Sequence, residues 1–400
     1  MSTSTTAQMR KWAGPAVFSF GFRPLFLLAC VWAAVAMILW IGMLSGRVTL
    51  PTAFDPITWH AHEFLFGYLS AVIAGFLLTA VPNWTGRLPV VGWPLVGLCA
   101  LWILGRLAIG ASAYLPTALV TVADLSFLAA LWGVILREIV AGKKWANLPV
   151  LIILGLFFAA DALFHFEAIQ SGTASQGYGL RLGLGMALVL IMLIGGKVTP
   201  SFTRNWLVKR GDTVLPTPPM QRYDKAVILV SAATLLAWVA QPGADVVGAA
   251  LVVIAGLHIV RLLRWQGVRA LAEPLVWVLH AGYAFVPLGA LAVGVSILFP
   301  ATISTAAALH VWTAGAIGLM TLGVMTRASL GHSGRALHAG AGTTCLYAAV
   351  IGAVITRLAA DLLVTYRVAL LDVTALLWIA GFAGFVVLYA PLLLRPKPVR

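Results

Sequence analysis

Apolar stretches of about 20 residues recur along the whole chain, and this recurrence restricts the fold more than any other feature of the sequence. About 20 residues is the length a helix needs to cross ~30 Å of hydrocarbon, where each backbone N–H and C=O must find its partner within the segment. About twelve spans are predicted, at residues 25–45, 59–81, 93–110, 116–136, 148–168, 180–198, 226–241, 245–263, 274–298, 305–326, 340–358 and 368–393. The other structure that crosses a bilayer, a closed sheet, uses strands of about ten residues that alternate apolar with polar. The runs here do neither. Composition agrees: the chain is 61% hydrophobic and 10% charged, against about 25% charged in an ordinary soluble domain. The expected fold is an all-α polytopic membrane protein, a single bundle of about twelve transmembrane helices forming one domain over residues 1–400, with no room for a soluble domain.

A net charge of +14 raises the question of nucleic acid, and the placement of the basic residues answers it. With the N-terminus in the cytoplasm, of 26 Lys and Arg only Arg47, Arg106, Arg181, Arg357 and Arg367 fall on or toward the outer side. That asymmetry is the positive-inside pattern, so the charge reflects membrane topology and no nucleic-acid partner is expected. The expected partner is a lipid bilayer and the expected location the bacterial cytoplasmic (inner) membrane, with both termini inside. Most loops are short and punctuated by Pro, Asn and Gly, as in "VPNWTGRLP". The exception is the basic, Pro-rich segment 197–225, which divides the spans six and six and suggests two six-helix halves. Cys30, Cys99 and Cys345 are far apart, lie inside predicted spans and form no pairing framework.

Ionisable groups inside spans are expensive and therefore informative. His60, His62 and Glu63 stand at the outer end of the second span, in "ITWHAHEFLFGY", and His310 at the outer end of the tenth. His165 is near the outer end of the fifth. His258 and His280 lie toward the inner ends of the eighth and ninth, and His332 and His338 in the inner loop "LGHSGRALH". On a helix His60 and Glu63 share a face and His62 points about 200° away from His60, so one helix serves two directions. A carboxylate one turn from an imidazole fixes its tautomer and raises its basicity as a ligand. Tyr283 is one turn from His280 on the same face. Two imidazoles on adjacent helices, with a third from elsewhere, suffice for a metal, and imidazole suits haem iron and copper. Asp124, Asp161 and Asp372 are further intramembrane acids that either carry protons or pair with Arg106, Arg181 or Arg367. Gly67, Ala71 and Gly75, at four-residue intervals, permit close approach of a neighbouring helix or of a flat macrocycle.

The chain resembles the NnrS family of bacterial inner-membrane proteins. The resemblance is carried by "FSFGFRPLFLLA" (Phe18 to Ala29), "WHAHEFLFGYLSAVIAGFLLTAVPNWTGR" (Trp59 to Arg87), "LHAGYAFVPLG" (Leu279 to Gly289) and "LHVWTAGAIGLMTLGVMTRASLGHSGR" (Leu309 to Arg335), and it spans nearly the whole chain. It implies a haem b and a copper held by intramembrane histidines, nitric oxide as the ligand, and a role in nitric oxide metabolism, denitrification and nitrosative-stress resistance. The expected activity is that of an oxidoreductase that binds and reduces or otherwise consumes nitric oxide, similar in logic to nitric oxide reductases, with a quinol or a small redox protein as electron donor. Membrane depth then suggests two groups: His60 or His62 with His310 for haem, and His258 and His280 with His332 for copper, with Glu63 or Tyr283 as proton donor. The competing expectation is a proton-coupled secondary transporter using His60, Glu63 and Asp161. A chaperone that delivers haem or copper is the third.

Overall fold

The computed structural model describes residues 12–87, 89–171 and 174–396. Arg10, Lys11, Lys397 and Arg400, which enter the topology argument, lie outside these. Among the described residues are 12 helices long and apolar enough to cross a membrane, and no strand. They are α1 (Phe22–Leu44), α2 (Pro56–Thr85), α3 (Trp93–Gly110), α4 (Thr117–Gly142), α5 (Trp145–Gln170), α6 (Tyr178–Lys209), α7 (Arg222–Ala240), α8 (Asp245–Leu263), α9 (Pro274–Leu298), α10 (Thr305–His332), α11 (Ala341–Leu362) and α12 (Val364–Leu394). The protein is an all-α polytopic membrane protein. Large apolar side chains such as Leu107, Val122, Leu229 and Val246 stay exposed on helix faces, as a hydrocarbon solvent allows.

The helices gather into two compact units. The first comprises residues 1–183 with 328–336 and 382–400; the second comprises 184–327 with 337–381. The change from the first unit to the second falls inside α6, between Gly183 and Leu184. The expected end of this span at residue 198 is also too early, because α6 continues through Pro200 to Lys209. Pro200 cannot donate a backbone hydrogen bond, but the Ser201 hydroxyl donates to the Lys197 carbonyl at 2.6 Å and that of Thr203 to Thr199 at 2.8 Å, holding the turn together.

α2 is the most deeply buried span of the first unit, and its start is written in sequence. The Asp55 side chain accepts from the backbone N–H groups of Ile57 and Thr58, and Pro56 occupies the first helical position. At the other end Gly86, at φ +72°, lets the chain leave in a left-handed conformation that a side chain would resist. Between them the small residues act as predicted for helix packing. A Cβ at Gly75 would stand 2.7 Å from the Phe26 ring of α1.

α10 is the corresponding buried span of the second unit, capped by Ser304, whose hydroxyl accepts from the Ala307 N–H at 3.1 Å. Both α2 and α10 pass from α-helix into a π-helical segment directly after a histidine: Glu63–Tyr68 follows His62, and Val311–Leu319 follows His310. Such wide turns re-aim side chains and occur frequently at functional sites.

Candidate metal centre

Four helices of the first unit bring one buried polar cluster together. α2 supplies His62 and Glu63, α3 supplies Arg106, α4 supplies Asp124 and Thr121, and α5 supplies Asp161 and His165. The aromatic side of the cluster comes from Phe54, Phe66 and Phe164, whose rings stand 5.4–5.6 Å from that of His62. α1 contributes Trp32, against which Gly67 is packed.

His62 is the hub. Its Nδ1–H donates to Glu63 Oε1 at 3.0 Å, while its Nε2 lies 3.0 Å from Asp124 Oδ2 and 3.3 Å from Asp161 Oδ1. His165 Nε2 reaches the same Asp124 Oδ2 at 2.9 Å, and its Nδ1 faces the Thr121 hydroxyl at 3.5 Å. One ligand atom from each of His62, Asp124, Asp161 and His165 falls within 4.8 Å of all the others, close enough for one ion. Arg106 closes the ring, donating through Nη1 to Glu63 Oε1 at 2.6 Å and through Nη2 to Asp124 Oδ1. Removing charge of this kind from water is costly unless every member is paired, and one guanidinium here faces three carboxylates, those of Glu63, Asp124 and Asp161.

Two glycines make the room. A Cβ at Gly67 would lie 2.6 Å from Arg106 Nη1 and 2.8 Å from Glu63 Oε2, and one at Gly105 would lie 2.8 Å from Asp124 Oδ1. The Gly67 carbonyl also accepts from Trp102 Nε1 at 2.9 Å. Gly67, expected to serve helix packing, therefore also admits the guanidinium.

The expected two directions of α2 are realised, but the partner of Glu63 is corrected. The carboxylate turns to its neighbour His62 and to Arg106, not to His60 one turn away. The attraction of the guanidinium and the π-helical turn that begins at Glu63 outweigh the simple α-helical spacing. His60 points elsewhere, stacked on Trp40 at 4.4 Å and against Phe64 at 4.7 Å. Of the acids with undecided partners, Asp124 takes Arg106, and Asp161 lies 3.3 Å from His62 without a hydrogen bond to it.

The remaining expected ligands belong to other surroundings. In the second unit His258 Nδ1 meets the Tyr283 hydroxyl at 2.9 Å and its Nε2 the Ser231 hydroxyl at 2.9 Å. Arg261 donates to Tyr283 at 2.5 Å and through Nε to Asp224 at 2.8 Å. His280 meets the Thr203 hydroxyl at 2.7 Å through Nε2. Trp265 packs against both the Tyr283 ring, at 4.5 Å, and the His280 ring, at 6.3 Å. The structure thus links Tyr283 to His258, while His280 turns to Thr203. His332, expected to join them, ends α10 within the first unit, where it packs on Phe20 at 5.7 Å and Phe22 at 5.6 Å. His310 lies in the second unit, its Nδ1–H donating to the Ala306 carbonyl at 2.6 Å, whereas His60 and His62 lie in the first. His165 and Asp124 were visible in the sequence only as isolated polar residues. The available signal was the four-residue spacing of Asp161 and His165, which places both on one face of α5.

Fold and cluster together define a polytopic membrane protein with a buried imidazole–carboxylate cluster. The sequence matches the family described as "NnrS protein" over residues 16–397, nearly its full length, and the chain belongs to the NnrS family. It is thereby a membrane protein connected with nitric oxide. No curated protein matches the chain.

Proposed function

We propose that the protein is a haem- and metal-containing redox protein that binds and consumes nitric oxide in the bacterial cytoplasmic membrane. The observation that carries this reading is the family match across residues 16–397. Its chemical support is the supply of intramembrane imidazoles. His310 fits an axial haem ligand, because the Ala306 carbonyl accepts from its Nδ1–H and fixes the ring, the backing that metal-bound imidazoles characteristically have. His60 is the second candidate, held flat against Trp40. A haem there would supply an iron that binds nitric oxide and accepts electrons from a quinol or a small redox protein.

The residues expected for copper fit it less well. Both ring nitrogens of His258 face hydroxyls, those of Tyr283 and Ser231, and His280 turns to Thr203. We derive no step through copper at that place. Tyr283 remains the proposed proton donor of the second unit, linked through Arg261 to Asp224. In the first unit Glu63 is a positioning residue: it holds the tautomer of His62 and anchors Arg106.

The same buried acids also suit proton-coupled secondary transport, since Glu63, His62 and Asp161 form a contiguous path. One preparation separates the readings. Detergent-purified protein from haem-replete cells should give a b-type reduced-minus-oxidised spectrum and, once reduced, should remove nitric oxide from solution. His310→Ala should lose haem while the folded protein persists. A colourless protein with proton-coupled flux would replace this reading by the transporter, and haem-loaded reduced protein inert toward nitric oxide would remove the turnover.

A further inference from the structure

The geometry points to one divalent transition-metal ion bound by His62 Nε2, Asp124 Oδ2, Asp161 Oδ1 and His165 Nε2, in a sulfur-free site of two imidazoles and two carboxylates. This site uses none of the residues proposed above for haem and does not depend on the nitric oxide reading.

Four observations converge on it. The first is the shape of the donor set. Ligand atoms 2.0–2.1 Å from a tetrahedral ion are about 3.3 Å from one another. Three of the six pairs stand near that value, at 3.0 Å for His62 with Asp124, 3.3 Å for His62 with Asp161 and 2.9 Å for His165 with Asp124, and all four donors lie within 4.8 Å of one another. The second is orientation. His62 Nε2 and Asp161 Oδ1 are both fully enclosed and make no hydrogen bond, although they lie 3.3 Å apart. Neither atom is committed to the other, and buried polar atoms are seldom left without a partner.

The third is the outer ring of contacts. Imidazoles that bind metal characteristically donate the other N–H to a carboxylate, carbonyl or hydroxyl. His62 Nδ1 does so to Glu63, and His165 Nδ1 faces Thr121, so both rings present Nε2 to the centre. The fourth is charge. Glu63, Asp124 and Asp161 bring three carboxylates to a fully buried site and Arg106 returns one positive charge. A divalent cation between neutral imidazoles would balance the remaining two, where leaving them unbalanced in a low-dielectric interior is prohibitive.

Donor chemistry sets the class of ion. Carboxylate and imidazole together suit divalent zinc, iron, manganese, cobalt or copper(II), whereas copper(I) selects thiolate and thioether ligands, which the cluster does not contain. The site also has a defined outer shell: Arg106 and Glu63 act through His62 and Asp124 and are positioning residues, not ligands.

The test uses the full-length protein in detergent, stripped with a chelator and titrated with Co²⁺ or Zn²⁺. We expect about one ion per chain, a rise in thermal midpoint of several degrees on loading, and Co²⁺ d–d bands of four-coordinate nitrogen and oxygen ligation without sulfur charge transfer. Asp161→Asn and His165→Gln should weaken binding at least ten-fold while the haem spectrum stays unchanged. Wild-type protein that binds neither ion, or variants that bind as wild type, would overturn the site and leave a purely hydrogen-bonded proton store. Sulfur charge-transfer bands would overturn the ligand set even if both variants failed to fold.

Discussion

Arg106 is the residue on which the buried cluster turns, because one guanidinium serves Glu63 and Asp124 at once. Removing one partner of a buried ion pair costs about 3–5 kcal/mol, more than the intact pair contributes over an apolar replacement. Arg106→Met should therefore lower the stability of the detergent-solubilised protein by about that amount, read from thermal or denaturant unfolding. Adding Glu63→Gln in the same chain should restore part of the loss, since the two changes touch one network and are not additive. Gly67 is tied to the same guanidinium. Gly67→Ala should cost about 1–3 kcal/mol by overpacking, while Gly97→Ala on α3, where nothing lies within 4 Å, should be neutral or slightly stabilising. Equal effects at the two glycines would mean that the space beside Arg106 is not what requires Gly67.

At the scale of the element, α2 and α10 are built alike. Each has a capping side chain, Asp55 or Ser304, then a histidine about a turn or two later, then a π-helical segment and a further α-helical stretch. The cap fixes where the helix begins and so how far its histidines stand from the end. Asp55→Ala removes two accepted hydrogen bonds and should cost about 1 kcal/mol, seen as a small fall in thermal midpoint with the metal content unchanged. Loss of the metal as well would show that the start of α2 also sets the depth of His62. The caps, Pro56 and Gly86 were legible in sequence because each acts within a few residues of itself. The π-helical segments were not. They follow from what the buried side chains must reach on other helices, and for this reason the spacing rule misdirected Glu63 toward His60.

At the scale of the whole molecule, charge decides orientation. Cysteines placed singly at Lys144 and Arg335 in a cysteine-free background should react with a membrane-impermeant thiol reagent only from the cytoplasmic side. Those at Arg47 and Tyr114 should react only from outside, and the opposite pattern would reverse the topology. Such asymmetry was readable from sequence, as were the number of spans, the all-α class and the family, because hydrocarbon thickness, backbone satisfaction and charge placement act on each segment separately. The histidines were also legible as costly residues in an apolar chain. What the sequence did not contain was their partners. His62, Asp124, Asp161 and His165 come from three helices with up to 103 residues between them, and which faces turn inward depends on how all five neighbouring helices pack. The same packing set His258 between Tyr283 and Ser231, turned His280 to Thr203 and sent His332 to Phe20 and Phe22. Local physics along one chain determined that this protein spans a membrane and carries imidazoles there; only the tertiary structure decided which imidazoles meet carboxylates, because that choice is made by side-chain volume and charge across helix interfaces.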